Sequence, residues 1–203
     1  MMIKDFGARV ESVWEGLRPV TKKMIVGALQ ASSGNTPTVQ PQKFSYDTQS
    51  DWELSRLLTA LDEQAKLAIV TNDGDKLAEI NQLSETLVKV LEAKTESAEV
   101  FIELAARILK KNDYKGFDKL TDSLSERFSA GEIAEIIRQT DLAQIRAVAF
   151  ETLSMMPPVL LLPLLDDPLY FEIARNAIEQ QAFEYESEEA RDILEQIEFG
   201  IDE

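Results

Sequence analysis

The feature that most constrains this chain is the spacing of its apolar residues. From Asp51 onward they return every three or four positions in one segment after another. Trp52, Leu54, Leu57, Leu58 and Leu61 are followed by Leu77, Ile80, Leu83, Leu87, Val90 and Leu91, then by Val100, Phe101, Leu104, Ala105, Ile108 and Leu109. That interval lines one face of a helix, whereas few segments show the period of two that a strand requires. The expected fold class is all-α. Short polar punctuations, Asn72-Asp73-Gly74 and Asn112-Asp113, read as turns between consecutive helices. Asp51 is expected to cap the first of these helices, which runs to about Thr71, and a fourth carries Phe117, Leu120, Leu124 and Phe128.

The two hairpins so defined resemble each other at an offset of forty residues. Asn72-Asp73 recurs as Asn112-Asp113, Ala65 and Ile69 recur as Ala105 and Leu109, and Leu83-Ser84-Glu85 recurs one residue out of step as Leu124-Ser125-Glu126. Short self-similarity at such a period is the mark of a repeat architecture. The best-patterned stretch lies further on, from Asp141 to Ala182. Asp141 is expected to cap a helix bearing Leu142, Ile145, Val148, Ala149 and Leu153, and Asp167-Pro168 to start one bearing Phe171, Ala174, Ala177 and Ile178. Between them Pro157–Leu165 is almost wholly apolar and reads as a short buried helix.

The N-terminal part is organised differently. Phe6, Val10, Val13, Trp14 and Leu17 would share one helical stripe over residues 3–17, opposite Lys4, Asp5, Arg9, Glu11 and Glu15. Such a helix either docks on the chain's own body or lies in a partner's groove. Pro19 interrupts it, and Met24, Ile25, Val26 and Leu29 form a second apolar cluster. Residues 31–50 then turn polar, with Pro37, Pro41 and Gly34, as in an extended arm. Phe44 and Tyr46 within that arm mark a place where it is pinned, to the chain's own helices or to a partner. The expected organisation is a helical segment over 1–30, a linker arm over 31–50 and a helical domain over 51–203.

The string Asp141, Ile145, Arg146, Ala149 and Leu153 is similar to the second helix of HEAT-type repeats, and the preceding EIAEIIRQT suits the first helix of such a unit. PPVLLLPLLDDP, followed by Ile173, Ala174, Arg175 and Ala177, resembles the next unit, although its prolines shorten the first helix and its second helix is shifted. The resemblance covers about residues 130–183. Leu104-Ala105 with Asn112-Asp113-Tyr114 also looks somewhat like a tetratricopeptide unit, but its second helix lacks the small residues. These resemblances imply a short α-solenoid of stacked antiparallel hairpins. Its last helix, Ser187–Phe199, sets Ala190, Ile193, Leu194 and Ile197 against an acidic outer face, as a terminal cap requires.

Composition removes several kinds of chemistry. The chain has no Cys and no His, so thiolate nucleophiles, disulfides, the usual structural zinc sets and imidazole bases are excluded. Asp5-Phe6-Gly7 has no glycine-rich loop before it, and Asn72-Asp73-Gly74-Asp75 would put Ile69 where a calcium loop needs a carboxylate. The pairs Glu96/Glu99, Glu132/Glu135 and Glu189/Asp192 have the internal spacing of magnesium-binding helical pyrophosphatases but not the separation between pairs. No phosphate loop, serine elbow or dinucleotide fingerprint is present. No cofactor or metal is expected.

Charge narrows the partners. The net charge is −16, and it is uneven: residues 147–203 hold two arginines against fourteen carboxylates. Such a surface repels phosphate backbones and anionic lipid, and it either keeps the protein soluble or attracts a basic partner. The longest apolar run, Val159–Leu165, is interrupted by Pro163 and is far shorter than the roughly 20 residues of a membrane span. With no secretory signal evident, cytoplasmic location is expected. The expected function is a non-enzymatic scaffold or adaptor that binds another protein or itself, with Phe6, Val10, Val13, Trp14, Leu17, Phe44 and Tyr46 as candidate partner-binding residues. The alternatives are a magnesium-carboxylate enzyme in a helical bundle and an accessory subunit of a larger assembly.

Overall fold

The computed structural model describes residues 3–32 and 46–200. Among them are eleven α-helices, two 3-10 turns and no strand, so the protein is all-α. The chain divides into two compact units, Met1–Thr95 and Glu96–Glu203, and the N-terminal segment 1–30 is counted with the first.

In the first unit the helical stripe expected over residues 3–17 is broken. A 3-10 turn, Ile3–Phe6, and helix α1, Ala8–Gly16, meet at Gly7, whose φ of 133° and ψ of 159° are open to glycine alone. A Cβ there would also stand 2.7 Å from Gln64 Oε1. Helix α2, Pro19–Ser32, opens on a proline whose missing N–H costs nothing at that position. Helix α3, Thr48–Val70, is 23 residues and about 35 Å long. Its cap is Asp47, which accepts from Ser50 N at 2.8 Å, and not Asp51 as expected; Asp51 lies buried in the first turn and accepts from the Tyr46 hydroxyl.

Helix α4, Gly74–Lys94, packs back on α3, so that Leu54, Leu57, Leu58 and Leu61 meet Ile80, Leu83, Leu87 and Leu91, all fully buried. Trp52, expected on that stripe, is instead half exposed beneath the Arg56 guanidinium. The turn between α3 and α4 is made as the sequence predicts. Asn72 takes a left-handed φ of 55°, Asp73 N donates to Ala68 O at 3.0 Å, and the Asp73 carboxylate accepts from Lys76 N. The first two features are the closing pattern of a helix C-terminus, and the third is an N-cap.

In the second unit α5, Ala98–Lys110, and α6, Tyr114–Arg127, are joined by the same turn forty residues on. Asn112 has φ 56°, Asp113 N donates to Ile108 O, and the Asp113 carboxylate accepts from Gly116 N. Helices α7, Ala130–Gln139, and α8, Ala143–Ser154, form the next pair, with Ser129 capping α7 as expected. A 3-10 turn, Pro158–Leu160, leads to the single-turn α9, Leu162–Leu165, and then α10, Phe171–Phe183, packs against α11, Glu188–Gly200. Helix α5 packs on α7, α6 on α8, and α8 on α10. Phe101 and Phe128 meet edge to face, 5.5 Å between ring centres.

Three expectations for this unit are corrected. Asp141 is exposed and caps nothing, and no other side chain caps α8; ahead of it the Thr140 hydroxyl accepts from Leu142 N while the Thr140 carbonyl accepts from the Arg146 guanidinium. Asp167 does not start a helix, because its carboxylate closes a local turn on Leu169 N and α10 begins at Phe171. Pro157–Leu165 is not a buried helix either. Its prolines allow only the 3-10 turn and one α-helical turn, which bury Leu161 and Leu164, half-bury Leu165 and leave Leu160 and Leu162 outward.

Candidate interaction surface

The N-terminal candidates divide sharply by burial. Phe6, Val10, Val13 and Leu17 lie inside the first unit, between 0% and 7% exposed, where α1 packs on α3. Trp14 is half-buried, with the Lys22 ammonium 5.8 Å from its ring centre. Tyr46 is half-buried, with its hydroxyl on Asp51. Phe44 lies outside the described residues. The aromatic stripe is thus covered by the chain's own α3.

A polar clasp holds this arrangement. The Arg18 guanidinium spans both Asp47 oxygens, reaches Glu53 Oε2 at 3.2 Å and Ser50 Oγ at 3.1 Å, and its backbone N–H donates to Glu53 Oε1. Glu53 is 2% exposed and also accepts from the Thr21 hydroxyl. Burial alone would raise the pKa of Glu53. The hydrogen bonds from Thr21 and Arg18 outweigh it and hold the carboxyl below its usual range. Asp47 is likewise held far below the usual carboxylate range by the Arg18 guanidinium and by Ser50. Every strong group in the clasp is engaged by another, so it is a fastening of α2 to α3 with no open position for a substrate.

A second clasp joins α7 to the turn before α10. Glu135 accepts from Arg138 at two contacts of 2.6 Å, from the Gln139 amide, and from the Tyr170 hydroxyl at 2.9 Å. Arg138 first, against some desolvation and with help from Gln139 and Tyr170, lowers the Glu135 pKa to about 2. Glu132, the other half of a candidate metal pair, caps α5 from a distance, since its Oε2 accepts from Ala98 N at 2.8 Å. Among the described residues no group of three or more carboxylates is placed to hold a metal ion.

Exposed apolar side chains occur on both units: Val26, Trp52, Leu67, Ile69 and Val70 on the first, and a run close in sequence on the second. Met155, Val159, Leu160, Leu162 and Leu169 are 39–67% exposed, a run of large side chains that a helix would have turned inward by half. Beside it, between the end of α8 and the α10–α11 turn, is a shallow, open depression of about 420 Å³ bordered by Met155, Met156, Pro157, Pro158 and Tyr185. Ser154 and Gln181 also line it, and they are 1% and 4% exposed. The Gln181 amide nitrogen donates to Met156 O at 2.8 Å, whereas Gln181 Oε1 and Ser154 Oγ have no hydrogen-bond partner among the described residues. Tyr185 donates to Glu151 Oε1 at 3.3 Å, and burial together with that carboxylate raises its pKa.

The chain matches no known protein family, no curated protein and no solved structure.

Sequence reasoning put the candidate partner-binding residues on the N-terminal stripe and favoured core over interface for Met155, Met156 and the leucine-rich run. The stripe and the Pro157–Leu165 run carry the same apolar signal, and only packing separates one that is covered from one that is not. One sign was legible for the depression. Gln181 falls on the buried stripe of α10, with Ala174, Ala177, Ile178 and Ala182, and a polar residue at a core position needs a partner.

Proposed function

We propose that this chain is a non-enzymatic interaction protein built of stacked helical hairpins of HEAT-like kind, which holds a basic segment of another protein on the second unit. The observation that carries this reading is the exposed run Met155, Val159, Leu160 and Leu162, since contiguous exposed apolar side chains mark interaction sites more often than chance surface. The carboxylates of residues 147–203 surround it in sequence and favour a partner of positive charge. The layering of α5 on α7 and of α6 on α8 on α10 supports the stacked arrangement. The turn shared by Asn72 and Asn112 supports a repeated hairpin. The burial of Phe6, Val10, Val13 and Leu17 within the first unit argues against them as docking residues.

The test compares the full chain with a Val159→Asp, Leu160→Asp variant. Both side chains are about half exposed, so circular dichroism and melting are expected to be unchanged. Quantitative affinity capture from source-cell extract is expected to lose a basic protein with the variant, and that protein, purified, to bind the parent directly. Equal recovery of every captured protein by the folded variant would end this placement of the partner.

A further inference from the structure

We infer that the turn between α5 and α6 is a docking site for a short acidic segment of another protein. Every lysine of Glu96–Glu203 falls within residues 110–119: Lys110, Lys111, Lys115 and Lys119. All four are exposed, and Tyr114 in their midst is 63% exposed. Among the described residues none of the four has an ion-pair partner, whereas Arg9, Arg138 and Arg175 are held by Glu63, Glu135 and Glu179. The Asp113 carboxylate beside them is taken by Gly116 N.

The fold does not ask for these lysines. The turn forty residues earlier closes with the same backbone, Asn72 at φ 55° against Asn112 at 56°, and with the equivalent bonds from Asp73 N and to the Asp73 carboxylate. It does so with Val70, Thr71, Gly74, Asp75 and Glu79 where the later turn has Lys110, Lys111, Tyr114, Lys115 and Lys119. Residues 70–79 therefore hold three carboxylates and one lysine, and residues 110–119 four lysines and two aspartates. Local physics also resists the second set. Lys110 and Lys111 suit the carbonyl end of α5, but Lys115 stands in the first turn of α6, where the helix dipole disfavours a cation. Lys115 and Lys119 are like charges one helical turn apart. An arrangement that costs stability, and that the same turn elsewhere does without, is the pattern of a functional surface.

Four exposed ammonium groups select an anion, and the rest of the chain selects its kind. Lysine acts as a point charge and lacks the planar fork with which arginine takes a phosphate in two bonds, which favours carboxylates. A long polyanion would also meet the remainder of a chain of net charge −16, with fourteen carboxylates in residues 147–203. A short segment stays at the turn, and charges more than about 10 Å away are screened from it. The Tyr114 ring offers an apolar contact and its hydroxyl a donor, so the ligand that fits is a few Asp or Glu residues with an apolar one among them. This surface takes the opposite charge from the partner proposed above and uses none of Met155, Val159, Leu160 or Leu162, so it stands independently of that reading.

The experiment titrates the nitrogen-labelled full chain with the acetylated, amidated peptide Glu-Glu-Leu-Glu-Glu and follows the backbone amides of residues 110–119 by NMR. The uncharged control is Gln-Gln-Leu-Gln-Gln, and a short oligothymidylate forms a further arm. Saturable shifts confined to the α5–α6 turn are expected, with affinity falling as sodium chloride rises from about 20 to about 200 mM. Lys111→Gln, Lys115→Gln changes only exposed side chains; it is expected to keep the circular dichroism of the parent and to bind roughly five-fold more weakly. Tyr114→Ala is expected to weaken binding by a smaller factor, and Lys76→Gln in the earlier turn to leave it unchanged. Equal binding of the glutamine peptide, absence of any saturable shift, shifts centred elsewhere, or unchanged affinity in the folded double variant would overturn the inference. Tighter binding of the oligothymidylate than of the acidic peptide would refute the choice of a protein partner. Shifts at residues 110–119 that grow with protein concentration alone would give the site to the acidic C-terminal part of a second copy and refute it equally.

Discussion

The Arg18 guanidinium grips Asp47 with two parallel hydrogen bonds, Nη2 to Oδ1 at 2.7 Å and Nη1 to Oδ2 at 2.9 Å, across 29 residues of sequence. The same arginine continues inward to Glu53, so one side chain joins the start of α2 to the cap and the first turns of α3. The buried member is the one whose loss should tell. Glu53→Gln keeps the shape but removes the charge that Arg18 and Thr21 address. It is expected to lower the stability of the first unit by about 2 kcal/mol, at the low end for a buried ion pair because Arg18 is partly solvated. Urea denaturation followed by Trp14 and Trp52 fluorescence measures it.

Acid should weaken both clasps, and the second gives the window. The folded-state pKa of Glu135 is about 2, below its ordinary 4.5, so between those values the unfolded chain binds more protons. Stability from this group is complete above pH 4.5 and is lost as pH falls towards 2. A Glu135→Gln variant is expected to be less stable at pH 7 and to show a shallower fall in urea midpoint between pH 4.5 and pH 3. Parallel pH profiles for parent and variant would show that the carboxylate carries no such linkage.

Gly7 is required by its backbone. At φ 133° an alanine is strained, and although the Gln64 side chain can move aside, the dihedral cannot relax without unseating Phe6 or Val10. Gly7→Ala is expected to cost about 1–3 kcal/mol, read as a lowered thermal midpoint. The neighbouring Gly16→Ala, where a Cβ meets nothing within 4 Å, is the control and is expected to be neutral or slightly stabilising.

The two Asn-Asp turns should respond alike if they are one motif used twice. Asn72 and Asn112 are both left-handed, at 55° and 56°, a conformation glycine accepts freely and valine resists. Asn→Gly at either position is expected to leave stability within about 0.5 kcal/mol, and Asn→Val to lower it by about 1–2 kcal/mol. Chemical denaturation of the four variants gives the comparison. A loss at one position without the other would argue against equivalent hairpins.

Light scattering checks whether the exposed run on the second unit joins two copies. With fourteen carboxylates in residues 147–203, self-association through that face brings like charge together, so a monomer is expected at low salt. A dimer that dissociates in Val159→Asp, Leu160→Asp would make a second copy the occupant of the surface.

Much of the fold was legible. The three- and four-residue spacing of Leu54, Leu57, Leu58 and Leu61 predicts a buried stripe, and all four are fully buried, because helical geometry alone puts such residues on one face. The Asn72 and Asn112 turns were legible for the same local reason. What misled was capping. Asp51, Asp141 and Asp167 each stand before an apolar run, but Asp47 caps α3, no side chain caps α8, and the Asp167 carboxylate is used in a local turn. The N-terminus of α5 is met by Glu132 from α7, a partner no nearby residue announces.

By itself the sequence determined that this protein is helical, where most helices begin and end, and that its C-terminal part is strongly acidic; these follow from intervals of a few residues and from counting charge. Which apolar face is covered was decided only by tertiary structure. Phe6, Val10, Val13 and Leu17 are inside because α3 lies against them, and Met155, Val159, Leu160 and Leu162 are outside because three prolines keep their segment from closing into a helix that could turn them inward. Hydrophobicity gives a side chain a reason to be buried, but burial needs a second surface, and that surface comes from a distant part of the chain.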